Sequence, residues 1–104
     1  MKYSVVINAC YGGFSLSKEG VEYMRGHGVE CEDEYALTYD FPRHHPVLVS
    51  MVKELGSKRA SGHCANLRIV KIKNPLYVIE WNDGFEEVLT PDIEWIDARK
   101  IDQE

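Results

Sequence analysis

The chain has 104 residues, of which 44% are apolar and 28% are charged. These values are close to the averages of globular domains and exclude collagen-like, low-complexity and wholly disordered chains. The length predicts one domain over residues 1–104. The longest apolar run, residues 5–7, is far shorter than the roughly 18 residues that span a bilayer, so we expect no membrane association.

Charge is distributed unevenly along the chain. Seventeen acids against twelve Lys and Arg give a net charge of −5, which argues against general nucleic-acid binding because phosphate neutralisation supplies most non-specific affinity. Residues 29–41 hold five acids and no Lys or Arg, whereas residues 53–73 hold six Lys and Arg and one acid. This basic segment either receives an anionic ligand or complements the acidic segments within the fold or across a dimer.

The cysteines and histidines predict neither a disulfide framework nor a metal site. Cys10, Cys31 and Cys64 are odd in number and widely spaced, which favours a reduced, intracellular setting. No pair of cysteines or histidines has the separation typical of structural zinc sites. We therefore expect no metal and no other cofactor.

The first predicted unit is a strand, a glycine turn and a helix. Residues 2–9 place apolar side chains on both faces, which is typical of a buried central strand. The glycine pair at residues 12–13 then breaks the pattern. Ser15 or Ser17 is expected to cap the helix, which ends within residues 26–28.

Two more elements follow, and then a loop. Residues 35–41 alternate with three aromatic rings on one face, which predicts a strand. Apolar residues recur at helical spacing over residues 46–55, and Pro46 suits a first helical turn. The polar, basic residues 57–65 are expected to form a loop.

The last part of the chain predicts a strand and a hairpin. Residues 67–73 are apolar on both faces, with a bulge midway. Residues 76–81 and 85–89 form a hairpin, because the intervening Asp-Gly adopts the positive φ angles of tight turns. Residues 90–104 form a strand, a short helix or a docking arm. The order β-α-β-α-β-β-β predicts an α+β domain, a mixed sheet of about five strands with two helices packed on one side.

Several segments together carry a distinctive pattern. The pattern lies in residues 6–17 (VINACYGGFSLS), 41–49 (FPRHHPVLV), 52–56 (VKELG), 62–72 (GHCANLRIVKI) and the turn at 83–84. In these segments the chain resembles a family of small bacteriophage and prophage proteins. It departs from the family pattern at His44 and His45, where relatives have paired aspartates. The resemblance implies a phage origin, and hence the cytoplasm of a bacterial host.

The glycine turn is the first candidate binding site. A turn that leads from a strand into a helix points free amides and the positive end of the helix dipole at whatever lies above it, which favours an anion. Aromatic rings beside the turn could stack on a base. The candidate residues are Tyr11, Gly12, Gly13, Phe14 and Ser15. The alternative is a tight connection whose aromatic rings belong to the core.

The basic loop is the second candidate site. Its guanidinium can hold a phosphate by two parallel hydrogen bonds, and its hydroxyl and amide groups are neutral donors. The candidate residues are Lys58, Arg59, Ser61, Gly62 and His63, to which Arg43 adds a further cation. If this loop meets the glycine turn, the two form one phosphate pocket. The alternative is a solvated basic loop.

These features predict a non-enzymatic binding protein that sequesters a small anionic, nucleotide-like ligand. With the phage resemblance, a signalling nucleotide of bacterial immunity is the expected ligand, and countering bacterial defence is the expected role. A homo-oligomer is expected because a short chain makes a deep pocket most readily between two subunits. The alternatives are an acidic inhibitor that binds a host protein through Tyr35, Tyr39 and Trp95, and a small nucleotide hydrolase.

Overall fold

The computed structural model describes residues 2–37, 41–91 and 97–99. Within these ranges the elements are β1 (Tyr3–Asn8), α1 (Lys18–Gly26), α2 (Pro46–Ala60), β2 (Leu67–Ile72), β3 (Val78–Asn82) and β4 (Phe85–Leu89). The α+β class is confirmed. The predicted mixed sheet of five strands is wrong, since the four strands form two separate antiparallel pairs, β1–β2 and β3–β4. Neither of these two helices is long and apolar enough to cross a membrane.

The β1–β2 sheet lies between two apolar clusters. Val6 faces a cluster built largely from α1 and α2, whereas Val5 and Ile7 face a cluster that includes side chains of the β3–β4 hairpin. All three side chains are buried, which confirms that β1 is buried on both faces, but the predicted central position is wrong, because among the described strands β1 pairs only with β2. Helices therefore cover one face of this sheet and the hairpin covers the other.

The sheet ends at β1 because other groups bind the second edge of that strand. The backbone N–H of Val6 donates to the carbonyl oxygen of Arg43 over 2.9 Å. The N–H of Asn8 donates to the Glu86 carboxylate over 2.8 Å. One carbonyl and one side chain thus satisfy amides that a third strand would otherwise pair with.

The predicted strand with an aromatic face does not form in the described part of residues 35–41. The Asp33 carboxylate accepts a hydrogen bond from the N–H of Tyr35, and the Asp33 carbonyl accepts one from Ala36. An aspartate that binds the backbone two residues on favours a turn over an extended strand. Residues 38–40 of this prediction lie outside the described residues.

Both helices begin where the sequence predicts, but the second one runs further. The Ser17 hydroxyl accepts the N–H of Gly20 over 3.0 Å and caps α1. In α2 the predicted end is a kink, because Gly56 has the non-helical angles φ 81° and ψ 160°. Residues 57–60 then resume a helical turn, so the predicted loop starts only at Ser61.

The predicted hairpin in the C-terminal half is confirmed by the antiparallel pairing of β3 with β4. Asp83 and Gly84 have φ angles of 52° and 90° and connect β3 to β4, as the Asp-Gly pair predicts. The register of β2 against β1 is continuous, without the predicted bulge. In the predicted tail, residues 90–91 and 97–99 are neither helix nor strand, and the rest lies outside the described residues.

Candidate functional site

The two predicted site segments are neighbours in the fold. Leu16 forms an isolated antiparallel bridge with Ser61, and the N–H of Gly62 donates to the carbonyl of Ser15 over 3.0 Å. Gly62 is required at this contact, because a Cβ there would lie 2.4 Å from the Ser15 hydroxyl oxygen. The chain that follows the glycine turn therefore lies directly against the chain that follows α2.

The glycine turn itself is closed by backbone on two sides. A Cβ on Gly12 would lie 1.9 Å from the carbonyl oxygen of Cys64. A Cβ on Gly84 would lie 2.7 Å from the amide nitrogen of Gly13. The hairpin turn and the loop before β2 thus pack against the glycine pair on two sides, although a Cβ on Gly13 would still meet open space. The turn is a tight connection, as in the alternative prediction, but its aromatic rings do not both belong to the core: Phe14 is half-buried and Tyr11 is 70% exposed.

Arg43 belongs to the interior, and the half-buried Phe14 packs against it. Arg43 is 4% exposed, and its Nη1 and Nη2 atoms bind the Glu86 carboxylate oxygens over 2.5 and 3.0 Å. The Arg43 Cζ lies 3.8 Å from the centroid of the Phe14 ring, a cation–π contact. The charge of Arg43 is therefore bound inside the fold, where it does not face a surface cleft.

Asn8 ties the glycine turn, the hairpin and the loop before β2 together. Its buried Nδ2 donates to the carbonyls of Cys10 and Gly84 over 2.8 and 2.9 Å, and its Oδ1 accepts the N–H of Asn66 over 2.8 Å. Sequence reasoning missed this residue and its neighbour Glu86. The available signal was the side-chain amide of Asn8 at the end of an apolar strand, because a polar group buried there requires hydrogen-bond partners.

A basic cleft opens between the last turn of α2 and the start of β2. It encloses about 390 Å³ and is lined by Ser57, Lys58, Ser61, Gly62, Ala65, Asn66 and Arg68. The Lys58 and Arg68 side chains are exposed, and among the described residues no acidic side chain lines the cleft. We call it the Lys58–Arg68 cleft.

The two serine hydroxyls of the cleft are hydrogen-bonded within the protein, whereas the Asn66 side-chain nitrogen can donate to a ligand. The Ser57 hydroxyl donates to Asn66 Oδ1 over 2.6 Å. The Ser61 hydroxyl donates to the carbonyl of Ser57 and accepts the N–H of Leu67. Because a side-chain amide carries two N–H donors on its nitrogen, Asn66 Nδ2 remains able to donate to a ligand.

The carbonyl groups that end α2 would repel an anion unless they were bonded. Ser17 donates its N–H to the carbonyl of Ala60 over 2.9 Å and its hydroxyl to that of Arg59. The N–H of Ser61 donates to the carbonyl of Ser57 over 3.0 Å. Three of the last four carbonyls of α2 are thus bonded, so Lys58 and Arg68 dominate the charge of the cleft.

The other predicted site residues lie elsewhere. Arg59 binds the exposed Glu19 carboxylate over 2.5 Å and does not line the cleft, and nor does the exposed His63. The hydrogen bond from Arg59 lowers the pKa of Glu19. Tyr11 is 70% exposed and lines another cavity, with acidic neighbours. Of the predicted group, the cleft therefore brings together Lys58, Ser61 and Gly62.

Two cleft residues were missed because they stand outside the predicted loop. Asn66 follows the loop predicted over residues 57–65, and Arg68 lies within the strand predicted over residues 67–73. The signal for Arg68 was its place in the basic segment, but only the pairing of β1 with β2 brings the start of β2 beside the end of α2.

The two histidines before α2 have structural partners. His44 Nδ1 lies 2.7 Å from the hydroxyl of Tyr77, and His45 caps α2. Of the surface suggested for a protein partner, Tyr35 is 63% exposed, and Tyr39 and Trp95 lie outside the described residues.

Within the described residues, the lining of the cleft has two serine hydroxyls and two cationic side chains, but no histidine, cysteine or carboxylate that would activate a hydroxyl as a nucleophile. In the described ranges no group of three His, Cys, Asp or Glu side chains is placed to hold a metal ion. The chemistry that these residues support best is recognition of negative charge. Comparisons of the chain with models of protein families, with curated proteins and with solved structures give no match.

Proposed function

We propose that the protein binds a small phosphate-bearing anion in the Lys58–Arg68 cleft, as a binding protein without catalytic activity. The observation that carries this proposal is the placement of two exposed cations in one cleft, without an acid among its described lining residues. The arginine supplies a planar fork of donors that matches phosphate, and the lysine adds a point charge.

The lining of the cleft also limits which anions suit it. Its volume of about 390 Å³ is within the range of small-molecule sites. Asn66 adds a neutral donor beside the two cations. None of the described lining residues carries an aromatic ring, so a nucleotide base would gain no stacking from them and phosphate contacts would supply most of the affinity. This favours ligands with two or more phosphates over a single phosphate.

The resemblance to phage proteins supports a more specific role. A signalling nucleotide of bacterial immunity carries the phosphates that the cleft suits, and its sequestration would counter the defence that depends on it. The proposed homo-oligomer would serve this role if a second subunit completed the shallow cleft, and sedimentation of the purified chain measures it.

The binding experiment is calorimetric titration and thermal shift with a panel of cyclic dinucleotides, ADP-ribose derivatives and inorganic pyrophosphate. A ligand at about 100 times its Kd should stabilise the fold by about 2.7 kcal/mol, which raises Tm by about 10 °C in a domain of this size. The doubly substituted variant K58Q/R68Q should lose binding. Its matched control K53Q/K73Q removes two cations of the same basic segment outside the cleft and should keep binding.

Two results would reject the proposal. One is the absence of heat and thermal shift with every anion. The other is equal affinity of K58Q/R68Q and the parent chain. Chromatography of the incubated ligands tests the hydrolase alternative in the same samples, because a binding protein returns each ligand chemically intact.

A further inference from the structure

A second cavity lies beside the tip of the β3–β4 hairpin. It encloses about 280 Å³ and is lined by Tyr11, Glu80, Trp81, Asn82, Phe85 and Glu87. We call it the aromatic cavity. Half of its lining residues are aromatic and two are carboxylates, a composition opposite in charge to the Lys58–Arg68 cleft.

Two of the rings form a corner in the wall of the cavity. The Tyr11 and Phe85 ring centroids are 5.2 Å apart, and their planes are tilted by 45°. Tyr11 is 70% exposed although the ring contact and the packed glycine turn hold it in place. An aromatic face carries negative electrostatic potential, so a fixed and open ring attracts a cation.

The two carboxylates lie directly opposite each other across the hairpin. Glu80 pairs with Glu87 in the β3–β4 register, so both side chains project from one face of the sheet. Like charges in this position destabilise a hairpin. Among the described residues no Lys, Arg or His forms an ion pair with either glutamate. A bound cation would relieve their repulsion.

We propose that the aromatic cavity binds an organic ammonium ion of the alkylamine or polyamine class. The rings attract an ammonium group and its alkyl chain, while Glu80 and Glu87 accept its hydrogen bonds. Ca²⁺ or Mg²⁺ fits less well, because each prefers about six or more oxygen ligands and the aromatic rings of Trp81 and Phe85 supply none. The two carboxylates disfavour an anion, so this site is independent of the proposed function.

The test is calorimetric titration with 1,4-diaminobutane, with 1,4-butanediol as its uncharged counterpart. We expect a Kd of about 1 mM for the diamine, because this value corresponds to a modest binding free energy per heavy atom for a ligand of six heavy atoms. We expect no binding of the diol. The variant E80Q/E87Q should weaken diamine binding about tenfold. The control E30Q/E32Q removes the same charge in another exposed segment and should bind as the parent does.

A second variant keeps the test decisive if E80Q/E87Q alters the fold. Tyr11→Leu removes the exposed ring and leaves both carboxylates, and it should weaken diamine binding severalfold. Amide correlation spectra of the parent should show the largest diamine shifts at residues 80–87. Binding that is equal for diamine and diol, or that is unchanged in both cavity variants, overturns the proposal. So does an absence of binding up to about 20 mM diamine, roughly twentyfold above the expected Kd.

Discussion

The substitution Glu86→Gln should destabilise the fold severely, although it preserves the shape of the side chain. Glu86 is 2% exposed and its carboxylate binds the Arg43 guanidinium and the N–H of Asn8. Glutamine keeps one acceptor oxygen and loses the negative charge. The guanidinium then stays buried against the Phe14 ring without its counter-charge.

The expected loss follows from the burial of both partners. Removing one member of a buried ion pair costs about 3–5 kcal/mol, because the other charge is left without compensation. The total stability of a domain is about 5–15 kcal/mol. Glu86→Gln should therefore lower the urea midpoint by a large fraction or leave the chain partly unfolded at 25 °C.

A double-mutant cycle separates this effect from simple loss of packing. Arg43→Met should cost a similar amount, whereas the pair R43M/E86M should cost far less than the sum of the singles, because two apolar side chains replace both charges. We expect a coupling energy of at least about 2 kcal/mol in urea unfolding monitored by circular dichroism. Additivity within about 0.5 kcal/mol, the behaviour of independent sites, would refute a structural role for the pair.

Three further predictions concern the glycine turn, the cysteines and pH. Gly12→Ala should lower the free energy of unfolding by several kcal/mol, because its Cβ would lie 1.9 Å from the Cys64 carbonyl oxygen. The Cβ of Gly13→Ala meets open space, so this substitution should cost only about 1–2 kcal/mol for the φ of 93°. Equal thermal denaturation midpoints of the two variants would contradict this. Burial raises the pKa of the Cys31 thiol, so a thiol reagent should modify exposed Cys64 first and Cys31 only on unfolding, as mass spectrometry of the modified peptides would show. The Arg59 guanidinium lowers the pKa of Glu19, so the ionised carboxylate stabilises the folded state. The small stability difference between the parent and Glu19→Gln should therefore be present above about pH 5 and vanish as the pH falls through the folded-state pKa of Glu19. A difference that persists at pH 2 would contradict this.

Local patterns in the sequence predicted the elements whose determinants are local. Asp83 and Gly84 specify the hairpin turn, and Ser17 specifies the start of α1, because each acts on the backbone within three residues. Gly56 marked the correct point in α2, but a glycine can interrupt a helix without ending it. The helical turn after it is held by contacts with the segment before α1.

The sheet topology and the site depended on long-range contacts that periodicity does not contain. The second edge of β1 is bound by Glu86, 78 residues away from Asn8, and no spacing rule predicts that a side chain takes the place of a strand. The residues predicted to form one phosphate pocket lie apart for the same reason. Arg43 forms a buried ion pair with Glu86, and Arg59 forms an exposed ion pair with Glu19. The Tyr11 ring contacts the Phe85 ring of the hairpin.

The most direct measurement of anion binding at the Lys58–Arg68 cleft is an amide correlation spectrum recorded during titration with inorganic pyrophosphate. We predict that the largest shifts fall on residues 57–58, 61–62, 65–66 and 68, and that K58Q/R68Q abolishes them. Shifts centred on the glycine pair at residues 12–13, or a spectrum unchanged at saturating pyrophosphate, would contradict the assignment of this cleft as the binding site.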